Sequence, residues 1–139
     1  MSIHDDFPEI DFDLDAAGDN TLFEYGYADG SNYKVHSEVV LSGRLTEEQI
    51  RNMLSSLDQG EFFIPSQVGL RDLQGDFIHG SAWDDDDDHV WHRIEGIKNT
   101  NAPASDVSVE TLIESWPKDQ RDWDMLGATE KHTGAGYGI

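Results

Sequence analysis

The chain has 139 residues, 29 of them acidic and 9 basic, giving a formal net charge of −20. It has no cysteine, which excludes disulfides, thiolate metal sites and cysteine nucleophiles, and its Lys and Arg are scattered singly, which argues against direct binding to nucleic acid or an anionic membrane. No apolar run approaches the ~20 residues of a membrane span and the first residues are acidic, so a soluble cytoplasmic protein is expected.

Residues 1–20 set isolated apolar side chains (Ile3, Phe7, Ile10, Phe12, Leu14) among acids. That pattern suits an acidic segment that is either a short edge strand or disordered. Thr21–Ala28 alternates Leu22, Glu24 and Gly26 against Phe23, Tyr25 and Tyr27. The turn formers Asp29-Gly30-Ser31-Asn32 follow, and then Tyr33–Leu41 puts Tyr33, Val35, Ser37 and Val39 on one face. Together these predict an antiparallel hairpin over 21–41.

Thr46 with Gln49 three residues later forms a capping box, and Leu45 and Ile50 occupy the positions of a hydrophobic staple. Ile50, Met53, Leu54 and Leu57 continue at helical spacing, predicting a helix over 46–58 that Gly60 ends. A short strand is expected near 61–64, stopped by Pro65, followed by an irregular loop over 71–82. Another strand is expected over 89–97, with 99–104 as a connector. A second helix is expected over 107–116, capped by Ser105, Asp106 or Ser108 and halted before Pro117. The expected fold is thus α+β, a small antiparallel sheet packed against two helices. A single domain over 21–126 would carry a flexible Gly-rich tail over 127–139.

The unbroken acids Asp84, Asp85, Asp86, Asp87 and Asp88 match several ligand positions of a calcium loop. His89 stands where that loop needs glycine, however, and no helix is expected to enter it, so no metal site is expected. His89 and His92 lack a defined third ligand. No nucleophile elbow, phosphate loop, dinucleotide turn or His-Glu-x-x-His pair is present, and neither an enzyme nor a cofactor is expected. Trp91 and Trp116 sit at core-like positions. Trp83 and Trp123 are framed by acids, Trp123 by Asp122 and Asp124, an arrangement suited to contacts with Arg on a partner.

Nothing about folding requires such an acidic excess. The expected function is an acidic inhibitor or binding protein that occupies the basic groove of a nucleic-acid-processing partner, such as a nuclease, restriction or CRISPR effector, or toxin. Asp84–Asp88, Trp83, Trp123, Asp122, Asp124, Asp11, Asp13 and Asp15 would form the contact surface. In character, though in no motif, the chain resembles phage- or plasmid-borne inhibitors and toxin-immunity proteins. One alternative is salt adaptation, which the excess of Asp (19) over Glu (10) would suit. Another is a small enzyme or ligand binder whose charge is incidental.

Overall fold

The aromatic alternation of residues 22–28 determines the centre of the molecule. In the computed structural model, which describes residues 3–74 and 88–133 (backbone alone for 131–133), strand β2 (Asn20–Ala28) buries Phe23, Tyr25 and Tyr27 on one side. It pairs antiparallel with β3 (Lys34–Leu41) in unbroken register from Thr21↔Leu41 to Ala28↔Lys34. Asp29 closes the turn between them, its carboxylate accepting from the Tyr33 amide at 2.9 Å. Asn32 takes up the left-handed conformation there (φ 67°), which Asn tolerates better than most residues.

On its other side β2 pairs with β5 (His92–Thr100), also antiparallel. The far edge of β5 is shared by β4 (Phe62–Phe63), antiparallel at Arg93 and His92, and β1 (Asp11–Asp13), parallel at Gly96–Lys98. The sheet is therefore five-stranded and mixed, with the path β1-β5-β2-β3, rather than wholly antiparallel as expected. Because β1 lies beside β5, the chain must cross to reach β2. It does so past Gly18, whose φ of 133° and close approach to the Thr100 backbone leave no room for a side chain.

β5 also starts and ends three residues later than its pattern predicts. Before it, two imidazoles bend the chain: His89 Nδ1 accepts from the Trp91 amide, and His92 Nδ1 donates to the Val90 carbonyl. Within it, pairing jumps from Gly96↔Glu24 to Ile94↔Tyr25, so Glu95 is an extra residue that resets the alternation.

The short helix α1 (Ile3–Asp6) precedes β1. Helix α2 (Glu47–Ser55) begins with both bonds of the expected capping box: the Thr46 amide donates to Gln49 Oε1 at 2.9 Å, and the Gln49 amide donates to Thr46 Oγ1 at 3.1 Å. Helix α3 (Val109–Ser115) is capped by Ser108 and ends before Pro117. Helix α4 (Met125–Thr133) is capped by Asp124, whose carboxylate accepts from the Gly127 amide at 2.9 Å. It occupies the first part of the stretch expected to be a tail, and it buries Ala128. Residues 134–139 lie outside the described residues.

Two indoles tie the C-terminal end of α2 to the sheet. Trp116 stacks on Phe63 with centroids 5.4 Å apart, and Trp123 meets Trp116 edge-on at 5.3 Å. Phe63 in turn contacts Phe23 and Tyr25. Trp116 Nε1 donates to the Met53 carbonyl at 3.0 Å, and Trp123 Nε1 donates to the Ser56 carbonyl at 2.8 Å. Carbonyls at a helix end lack intrahelical partners, so the Trp123 indole satisfies the Ser56 carbonyl while burying its ring, whereas the Met53 carbonyl also accepts from the Ser56 amide at 3.2 Å.

Candidate functional site

Strand alternation sends the remaining side chains of the central strands to the opposite face of the sheet. Register places Glu24 beside Glu38, Gly26 beside His36, and Ala28 beside Lys34 on β3; on β5 it places Gly26 beside Arg93 and Leu22 beside Lys98. This face is mostly polar, exposed at Lys34, His36, Glu38 and Arg93 and half-buried at Glu24, Glu95 and Lys98. Two glycines let carboxylates lie flat across it. A Cβ on Gly26 would come within 2.7 Å of Glu95 Oε2, and one on Gly96 would collide with the Glu24 carboxylate. Glu95 reaches over Gly26 to His36 Nδ1 at 2.7 Å, and Glu24 reaches over Gly96 to Lys98 Nζ at 3.0 Å. Asp11 adds a second carboxylate 3.0 Å from Lys98. Hydrogen bonds that the Lys98 ammonium donates to Glu24 and Asp11 hold its pKa above the ordinary range.

An open cleft of about 490 Å³ lies at the hairpin end of this face. Its walls include Lys34, His36, Arg93, Glu95, Trp91 and Phe62. Arg93 sits over the Phe62 ring, 5.2 Å from its centroid, and pairs with Glu61 at 3.0 Å. His89 donates from Nε2 to the Ala28 carbonyl at 2.8 Å, because its Nδ1 already accepts from Trp91. The Tyr27 hydroxyl donates to Asp88 at 2.8 Å and accepts from the His89 amide. Burial, aided by the Asp88 carboxylate, pushes that phenol above its ordinary range, with the His89 amide opposing. Among the described residues the cleft lining pairs His36 with Glu95 but has no Ser, Thr or Cys to act as a nucleophile. Among the described residues, no group of three or more His, Asp and Glu could hold a metal ion.

His92 is fully buried among Tyr25, Tyr27 and Phe63. Its Nε2 accepts from the Leu73 amide at 3.1 Å, so the ring is neutral and carries its proton on Nδ1. The Asp72 carboxylate lies 3.7 Å from Nε2.

The acidic residues singled out from the sequence occupy separate parts of the fold. Trp83 and Asp84–Asp87 lie outside the described residues. Asp88 is half-buried, accepting from both Tyr27 and Gln74. Asp11 is tied to Lys98, while Asp13 and Asp15 are exposed. Asp122 and Asp124 are exposed too, but Asp124 caps α4. Trp123, expected to be an exposed anchor, is instead 7% exposed and belongs to the core, because its indole closes α2. Trp91, expected in the core, is half-buried in the cleft wall. The His36–Glu95 pair went unnoticed in the sequence because its members are 59 residues apart and meet only through strand pairing. Glycines inside two strands, Gly26 and Gly96, were the available sign of a close approach.

No family model, curated protein or solved structure matches the chain. Among the described residues, no helix is long and apolar enough to cross a membrane.

Proposed function

We propose that the protein is an acidic binding protein that occupies the basic groove of a nucleic-acid-processing partner in place of nucleic acid. The observation that carries this reading is how the cations are used. Arg51, Arg93, Lys98 and Arg121 each pair with carboxylates of the same chain, so these cations are engaged within the fold, and the formal charge of −20 is the carboxylate surplus left after every cation of the chain is counted. A body so charged attracts a basic surface from a distance and speeds its capture.

Exposed Asp13, Asp15 and Asp122 supply charge to the contact, together with Asp84–Asp87, and Trp83 supplies an aromatic ring. Trp123 leaves the contact set. Met125 and Leu126, 44% and 71% exposed and following Asp122 and Asp124 in the chain, supply apolar contact in its stead. Charges at an interface rim mainly set association rate, whereas buried apolar anchors set residence time.

The test is capture from lysate by the immobilised protein, with identification of the bound proteins and competition by duplex DNA. The expected result is a nucleic-acid-binding protein, retained at low salt and displaced by DNA. Asp13→Asn/Asp15→Asn/Asp122→Asn should slow its association and flatten the salt dependence. A partner that bound DNA and this protein together at full affinity would defeat the mimicry. Loss of the fold at low salt would assign the charge to salt adaptation instead.

A further inference from the structure

The outer edge of β3 carries a self-complementary pattern. In the ladder with β2, the even-numbered residues of β3 turn their backbone groups away from β2. This is visible at the end of the strand, where the Val40 carbonyl accepts from the Ser105 amide at 2.8 Å and the Ser42 amide donates to the Val107 carbonyl at 3.0 Å. By the same alternation, the amides and carbonyls of Lys34, His36 and Glu38 point outward. Among the described residues no strand or loop backbone meets them.

On this free stretch the charges alternate in a particular way. Lys34 and Glu38 lie on the same face, exposed, and neither forms an ion pair among the described residues. Four residues apart on a strand, they are separated by roughly 13 Å and cannot meet each other. An antiparallel copy of β3 turned about a two-fold axis at His36 brings Lys34 opposite Glu38 of the copy, and Glu38 opposite its Lys34. Residues 34, 36 and 38 then fall in the hydrogen-bonded pairs that their outward groups require. The same rotation sets Tyr33, 63% exposed, opposite Val39, a favoured aromatic–branched pair. Parallel addition would instead oppose Lys to Lys and Glu to Glu.

We propose that the β3 edge is a homodimer interface, joining the sheets of two copies antiparallel about His36. Charges along an exposed edge usually prevent strand addition, but here unlike charges meet in the antiparallel register centred on His36, while like charges meet in the in-register parallel arrangement. The segment from Ser105 onward covers the edge at Val40, which confines pairing to 34–38.

Sedimentation equilibrium at 0.15 M salt tests the proposal, because the repulsion between two such acidic bodies is screened beyond ~8 Å there. The wild-type chain should be a dimer. Lys34→Glu and Glu38→Lys should each be monomeric, with circular dichroism unchanged. An equimolar mixture of the two variants should form a heterodimer, since one edge is then wholly acidic and the other basic. The double variant Lys34→Glu/Glu38→Lys should dimerise again. Net charge alone predicts the opposite for Glu38→Lys, which lowers the repulsion and should favour association. A monomeric wild type would overturn the proposal, as would a dimer indifferent to both single substitutions or single variants that fail to associate when mixed.

Discussion

Replacing Trp123 separates its role in the core from any role in binding. The indole is buried, contacts Trp116 at 5.3 Å and Phe63 at 6.5 Å, and donates to the Ser56 carbonyl at 2.8 Å. Trp123→Ala removes the ring and leaves a cavity beside two other aromatic rings, a change that costs about 3–5 kcal/mol. Trp123→Phe keeps most of the ring but deletes the N–H, leaving the Ser56 carbonyl to find another partner at a cost of about 1–3 kcal/mol. Urea unfolding followed by circular dichroism at 222 nm gives both values without depending on the fluorescence of the lost tryptophan. The slope with denaturant should stay unchanged, so that the midpoint shift reports stability. The alanine variant should exceed the phenylalanine variant by roughly 2 kcal/mol, the share belonging to ring burial. A loss below ~1 kcal/mol for Trp123→Ala would refute the assignment, because a residue at the protein surface loses little when truncated.

Gly18→Ala should cost at least ~2 kcal/mol in the same assay, because φ there is 133° and the nearby Thr100 atoms are backbone that cannot swing aside; a cost under ~0.5 kcal/mol would mean that β1 does not cross as described. Tyr27 should make folding sensitive to alkali. The unfolded phenol ionises near pH 10 while the folded one stays protonated, so the folded state binds the extra proton and stability falls as pH rises above about 10, by at most ~1.4 kcal/mol per pH unit. Tyr27→Phe should lose stability at pH 7 through the lost Asp88 bond yet fall less steeply between pH 10 and 11; an unchanged slope in urea midpoints would contradict the burial of this hydroxyl.

What the sequence determined alone was local. The β2–β3 hairpin needs only a period-two aromatic pattern and a turn whose residues bond to their own backbone. Helix α2 needs only Thr46, Gln49 and the Ile50-Met53-Leu54-Leu57 stripe, and the bonds it implies span three or four residues. These features required no knowledge of distant neighbours. Tertiary structure decided the rest, because each remaining question concerned two segments far apart in the chain. Whether Asp11–Asp13 is a strand depends on β5 offering a free edge, and the parallel direction follows from how the chain crosses at Gly18. Whether a tryptophan flanked by acids is exposed depends on where α2 ends, since the Ser56 carbonyl draws the Trp123 indole inward while its acidic neighbours stay in water. The bulge at Glu95 hid both the limits of β5 and the meeting of Glu95 with His36, because one extra residue exchanges the two faces of a strand and no period survives it.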